Sequence, residues 1–199
     1  MESIVDWDIT FIFWVQNHLV TGVLSPLMIV LSTLGNLGVI WILLGIALLC
    51  KKKYRRAGIA VFIGLTFSLV VGNGVLKHWL MRARPCLDYP WMPMLVQVPA
   101  ANDFSFPSGH TFGSFAAAAA MFSGVKRRWG MAALGLAAAI GFSRIYLFMH
   151  YPSDVFAGAV LGIGFGLLAW RLAGKTAAFV ESRFFQQVSE KTENAVRGE

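Results

Sequence analysis

Long apolar runs broken by short polar clusters run through the chain, and their lengths define its elements. Mostly apolar stretches of about 18 residues or more can cross a bilayer as helices. Four qualify: Leu24–Cys50, Ala57–Leu76, Met131–Met149 and Val155–Leu172. A fifth, Ser108–Val125, is shorter and alanine-rich, with Pro107 before it and Lys126, Arg127 and Arg128 after it. Gly35 and Asn36 near the middle of the first run predict a kink there. Residues 4–20 are interrupted by Asp6, Asp8, Gln16, Asn17 and His18, and fit an interfacial amphipathic helix better than a sixth span. No Lys or Arg precedes them, so they do not read as a cleavable signal peptide. The pattern predicts an all-α, polytopic membrane helix bundle forming one domain over 1–199. It consists of an amino-terminal helix within 1–22, five spans, a loop over 86–107 and a polar tail over 176–199 that frays past Ser189.

Composition fixes the solvent. Hydrophobic residues make up 57% and charged residues 14%, where a soluble domain carries nearer a quarter charged. This is an integral membrane protein, and its 20 glycines suit close helix contact in lipid. Cytoplasmic loops collect Lys and Arg. Lys51, Lys52, Lys53, Arg55 and Arg56 fill one connection, Lys126–Arg128 another, and Arg171 and Lys175 stand near the carboxyl end. All fall on one side if five spans alternate. That side is then cytoplasmic with the tail, and residues 77–107 and 143–154 lie on the extracytoplasmic face. The net charge of +7 is thus a topology signal and an attraction for anionic lipid, not a nucleic-acid footprint. Cys50 and Cys86 lie at opposite faces, which excludes a disulfide between them. The seven tryptophans fit interface belts.

Chemistry collects on the outer side. "KHWLMRARP" brings Lys77, Arg82 and Arg84; "FSFPSGHTF" brings Ser108, Gly109 and His110; "SRIYLFMHYPSD" brings Arg144, His150 and Asp154. Arg and Lys near span ends commonly snorkel to headgroups, and a lone interfacial His is usually only a hydrogen-bonder. Three clusters converging on one membrane face ask for more. Lys77, Arg84 and Arg144 are fixed cations suited to phosphate oxygens. With Pro107 in the first turn of a helix, the amides of Ser108, Gly109 and His110 would be free donors at its positive end. The Ser108 hydroxyl adds a donor, and Gly109 has no side chain to block an anion. If Pro152 starts the last helix, Asp154 lies in its first turn. There it accepts from one ring nitrogen of His150 and frees the other to attack phosphorus. His110 would protonate the leaving oxygen and later activate water.

Lys77 with Arg84-Pro85, Pro107 to His110, and Ser143-Arg144 with His150 and Asp154 resemble the three-part signature of the type 2 phosphatidic acid phosphatase (PAP2) superfamily. The resemblance implies metal-independent dephosphorylation without a cofactor and a phosphohistidine intermediate. His150 would be the nucleophile, Asp154 its partner and His110 the acid/base. Lys77, Arg84, Ser108, Gly109 and Arg144 would bind phosphate. Arg82 lies outside the signature and is expected to touch a headgroup, while His18 and His78 read as structural.

Three rival readings are weaker. A metal triad of His110, His150 and Asp154 would be repelled by three fixed cations. A Ser108 nucleophile lacks the strand–helix elbow of serine hydrolases. A lipid-binding or transport protein does not require the paired His150 and Asp154. The 22-residue connection between Pro85 and Ser108 is too short for a cap domain, and its Trp91, Met92, Met94, Leu95 and Val96 suit a lid on the interface. The expected substrate is therefore a membrane lipid entering sideways. Phosphatidylglycerophosphate comes first, by resemblance to small bacterial members such as phosphatidylglycerophosphatase B, and undecaprenyl diphosphate second. Spacing says nothing of the oligomeric state.

The basic loops generate a topology test. In a chain without Cys50 and Cys86, cysteines introduced at Lys52 and Arg127 should resist an impermeant thiol reagent in intact cells. One at Pro93 should label. The reverse pattern would put the site on the cytoplasmic face.

Overall fold

The computed structural model describes the backbone of residues 2–197 and, within it, the side chains of 5–175. The described residues fold into α1 (Glu2–His18), α2 (Leu24–Gly35), α3 (Val39–Leu49), α4 (Arg55–Phe67), α5 (Lys77–Leu80), α6 (Pro85–Asp88), α7 (Gly109–Gly124), α8 (Arg127–Tyr146) and α9 (Pro152–Arg197). A π-helical stretch, Ser68–Leu76, joins α4 to α5 in one rod. The tail from residue 176, expected to be cytoplasmic and to fray past Ser189, lies outside the residues whose side chains are described.

Among the described residues, four segments are long and apolar enough to cross a membrane: Leu24–Leu49, Lys52–Asp88, Arg127–Tyr146 and Pro152–Lys175. The fifth expected span, α7, has 16 residues and falls short of that length. It is instead the innermost helix, packed against α4, α8 and α9. From Thr111 to Met121 every residue but Phe115 is buried. That position explains its alanines, since a helix with neighbours on all sides needs small residues rather than a lipid-facing apolar surface. Large apolar side chains such as Leu43, Ile46, Leu69, Val160 and Ile163 are exposed on the outer helices, as hydrocarbon solvent permits.

The close approach of α9 to α7 depends on glycine. A Cβ at Gly162 would fall 2.6 Å from the Phe112 carbonyl oxygen, and one at Gly158 would fall 2.9 Å from that of Ser108. The expected kink is present as a full break, Asn36–Gly38, between α2 and α3. Gly38 takes φ 69° freely, whereas Leu37 at φ 52° bears a strain of about 1–3 kcal/mol. The break matters because Asn36 within it meets His110.

The bundle is polar along its axis. Lys77, His110, Arg144 and Asp154 stand toward one end of the bundle, and Arg55, Lys126, Arg127 and Arg171 stand toward the other. At the basic end Arg56 stacks 3.9 Å from the Trp170 ring and donates to the Trp170 carbonyl oxygen. At the site end, α1 lies against the α8–α9 turn. Phe13 meets Tyr89 and Phe148 edge-on, and Gln16 donates to the Tyr146 carbonyl oxygen at 3.0 Å. Cys50 and Cys86 are both free, the first exposed and the second buried in this apolar layer. In the 86–107 connection Trp91 and Leu95 are exposed, while Met92, Met94 and Val96 pack on the same layer.

Replacing Gly162 by Leu should force α9 away from α7. Overpacking of this kind costs about 1–3 kcal/mol, read as a lowered thermal midpoint in detergent. Gly164→Leu is the control, since nothing lies within 4 Å of a Cβ there, and should leave the midpoint unchanged.

Candidate active site

Each signature residue sits at an element boundary. Lys77 opens α5, the last turn of the α4 rod, and Arg84 is extended ahead of Pro85, which opens α6. Ser108 caps α7, Arg144 falls in the last turn of α8, and His150 lies in the turn before α9. Asp154 occupies the first turn of α9, which starts at Pro152 as expected. Lys77, Arg84, Gly109, His110, Arg144 and His150 line one cavity of about 1010 Å³.

His150 is the centre of the arrangement. An Arg84 Nη1–H donates to its Nε2 at 3.0 Å. Guanidinium has no lone pair to offer, so Nε2 must be the unprotonated nitrogen. The proton then resides on Nδ1, which faces Ser105 Oγ at 3.2 Å. Ser105 in turn donates to Asp154 Oδ2 at 2.5 Å. The direct His150–Asp154 hydrogen bond expected from spacing is not made: Nδ1 and Oδ2 are 3.7 Å apart, and Ser105 bridges them. Complete burial, followed by the charges of Arg84 and Arg144, pushes the His150 pKa well below its usual range. The imidazole is therefore neutral, with a lone pair on Nε2 directed at the cations.

Asp154 is fully buried and pinned on both oxygens. Tyr151 N–H donates to Oδ2 at 2.9 Å, and Arg82 Nη1 donates to Oδ1 at 2.7 Å. Arg82 also donates to Ser153 Oγ at 2.7 Å and to Asp8 Oδ2 at 2.6 Å, with its guanidinium 4.2 Å from the Tyr151 ring. This corrects the expectation that Arg82 touches a headgroup. Two fully buried carboxylates, Asp8 and Asp154, turn it inward, because either would otherwise be an uncompensated buried charge.

Ser108 also departs from expectation. It is fully buried and does not line the cavity. Its Oγ accepts from Thr111 N–H and Thr111 Oγ1, and its own amide donates to the Asp154 carbonyl oxygen at 3.1 Å. Ser108 thus caps α7 and ties it to α9, because Pro107 precedes the cap instead of lying in the first turn. The amides of Gly109 and His110 remain as first-turn donors. The space of a Gly109 Cβ is filled by Asn73, whose Oδ1 would be 2.6 Å away and has no hydrogen-bond partner. His110 Nε2 lies 2.8 Å from Asn36 Oδ1 at the helix break, leaving Nδ1 for proton exchange.

The cations are held differently from one another. Lys77 Nζ and Arg84 Nη2 share the carboxylate of Asp103 at 2.7 and 2.9 Å. Arg144 bonds Ser32 Oγ, and its buried Nε has no partner. Beyond the cations the cavity turns apolar, with Ile29, Leu37, Trp41, Ile42, Phe62 and Leu65 from α2, the Asn36–Gly38 break, α3 and α4 along its wall. Pro99, Asn102 and Phe104 of the 86–107 connection line it too.

Five residues absent from the sequence-based site therefore hold it together: Asp8, Ser32, Asn36, Asp103 and Ser105. Asp8 and Asn36 left a readable trace, each being a polar residue set inside an apolar run. Ser105 left none.

Residues 56–177 match the family described as PAP2 superfamily. An undecaprenyl-diphosphatase of Sulfolobus acidocaldarius is 31% identical over 76% of this chain and 71% of its own. Undecaprenyl-diphosphatase BcrC of Bacillus subtilis is 32% identical over 80% of each chain. In fold, the chain is similar to the crystal structure of a transmembrane PAP2-type phosphatidylglycerolphosphate phosphatase from Bacillus subtilis. The TM-score is 0.70 and the identity 23%, covering 88% of both chains.

The Ser105 bridge makes its own prediction. Ser105→Ala should lower kcat by about 10–100-fold with KM little changed, since it frees the His150 tautomer without touching the cations. Asp154→Asn should cost more. A Ser105→Ala enzyme with wild-type kcat would mean that Asp154 acts on His150 without the bridge.

Proposed function

The chain belongs to the PAP2 superfamily and is a multi-pass membrane phosphatase, and from that premise we propose that it removes the terminal phosphate of a lipid through a phosphohistidine on His150. The observation that carries this reading is a single cavity holding a neutral histidine, three fixed cations and an apolar wall. A soluble phosphate ester would need the first two but not the third.

In the proposed first step, the Nε2 lone pair of His150 attacks phosphorus and the bond from phosphorus to the lipid oxygen breaks. His110, which carries a second proton on Nδ1 once the bound phosphate offsets the charges of Lys77, Arg84 and Arg144, gives that proton to the leaving oxygen, so the lipid leaves as an alcohol, or as a lipid monophosphate when the substrate is a diphosphate. Lys77, Arg84 and Arg144 hold the charge on the equatorial oxygens, joined by the amides of Gly109 and His110. Ser105 and Asp154 stabilise the imidazolium as it forms. In the second step His110 takes a proton from water, whose oxygen attacks phosphorus, and the N–P bond breaks to release inorganic phosphate.

Two lipids fit this chemistry, undecaprenyl diphosphate and phosphatidylglycerophosphate, since both present a terminal phosphate on an apolar body. The relatives named undecaprenyl-diphosphatase weigh toward the first, which moves ahead of the order expected from sequence. The basic connections at the opposite end of the bundle support an extracytoplasmic site.

Purified protein should release phosphate from both lipids in mixed micelles, with EDTA present, and far more efficiently than from a water-soluble phosphomonoester. His150→Ala should abolish turnover, while His110→Ala should spare vanadate binding more than kcat. Equal efficiency on the soluble ester would overturn the lipid reading, and restoration of an EDTA-treated enzyme by a divalent ion would overturn the scheme run on fixed cations.

A further inference from the structure

Asp103 stands where the proposed phosphoryl group belongs. Its carboxylate oxygens are divided between two cations, Oδ1 to Lys77 Nζ at 2.7 Å and Oδ2 to Arg84 Nη2 at 2.9 Å. Its backbone oxygen accepts from Arg84 Nε at 2.7 Å. Two oxygens shared between two cations is also how a phosphoryl group would engage them. The residue belongs to the connection between α6 and α7, and its side chain is 46% exposed. No packed core fixes it, so the carboxylate can swing out to water. Burial alone would raise its pKa, but the Lys77 hydrogen bond and the Arg84 charge outweigh this and hold it below the usual carboxylate range. It is thus ionised at neutral pH.

Counting charge then separates two kinds of lipid. A phosphodiester headgroup carries one negative charge on phosphorus, and a terminal phosphate carries about 1.5 to 2 near neutral pH. Exchanging Asp103 for a diester swaps one charge for another with no net Coulombic gain. A terminal phosphate brings additional charge and a third equatorial oxygen, for which Arg144 still holds an unpartnered Nε donor. A bare cluster of three cations at a membrane surface would otherwise fill with ordinary phospholipid. We propose that Asp103 is a specificity-determining residue, its carboxylate competing for Lys77 and Arg84 so that phosphodiester lipids are refused and a terminal phosphate is admitted. The inference rests on the reading of Lys77 and Arg84 as phosphate ligands.

The test uses the full-length protein in mixed micelles, turning over a terminal-phosphate lipid with increasing phosphatidylglycerol as the diester probe at constant micelle dilution. The wild type should be insensitive to phosphatidylglycerol. In Asp103→Asn it should become a competitive inhibitor, and the Ki of inorganic phosphate should tighten about tenfold, the scale of one to two partly exposed ion pairs. Asp103→Glu should behave as wild type. Asp103→Ser gives a second reading in case the Asn amide still engages Arg84. Unchanged inhibition by both probes in the Asn and Ser variants, whatever their kcat, would overturn the proposal and leave Asp103 as a fixed partner of the two cations. Thermal midpoints against inorganic phosphate and phosphatidylglycerol give the same comparison without turnover. A wild type that releases phosphate from no lipid would defeat the phosphatase reading, and the midpoints would still report whether Asp103 competes for anions.

Discussion

A charge buried inside a helix bundle must be partnered by the protein, because no water reaches it to share the burden. Arg82 shows how far this reaches. Its guanidinium joins Asp8 of α1, Ser153 at the start of α9 and Asp154, so three distant pieces of chain meet on one planar ion. Asp154 is thereby fixed, Ser105 is fixed by Asp154, and the His150 tautomer is fixed by Ser105 on one side and Arg84 on the other. The proposed nucleophile is set by a chain of bonds whose far end is an aspartate near the amino terminus. Breaking a buried pair by removing one partner typically costs about 3–5 kcal/mol, so this network governs folding as well as chemistry.

The same need explains why the first fifty residues matter to a site whose signature lies entirely after them. Asp8 holds Arg82, Ser32 holds Arg144, and Asn36 holds His110. Asn36 reaches the histidine only because the helix breaks beside it, so the strain borne by Leu37 and the freedom of Gly38 serve the site. Family membership rests on residues 56–177, whereas these three contacts come from outside that range.

Apolar structure and chemistry meet in the cavity wall. The small residues of α7 and the glycines of α9 draw the inner helices together, and α2, α3 and α4 line the apolar side of the cavity beyond the cations. In the proposed reaction a lipid would keep its body among Ile29, Trp41, Ile42 and Phe62 while its headgroup meets Lys77, Arg84 and Arg144. Asp103 waits at that meeting point, on a connection tethered through Ser105 to the catalytic network.

By itself, the sequence determined the helices, their approximate ends, the gathering of basic residues at one end, and the candidate residues Lys77, Arg84, Gly109, His110, Arg144 and His150 that meet in one cavity. These follow from local patterns: apolar runs fix spans, Pro152 fixes the start of α9, and the signature residues stand at fixed spacings. The tertiary structure alone decided which partner each group takes. Spacing pointed Asp154 straight at His150, yet a serine from another segment stands between them. Arg82 looked like a surface arginine until two buried carboxylates turned it inward. Ser108 looked like a phosphate ligand, and its hydroxyl caps α7 instead. In each case the outcome depends on a contact between residues far apart in sequence, and a one-dimensional pattern holds no distance between them.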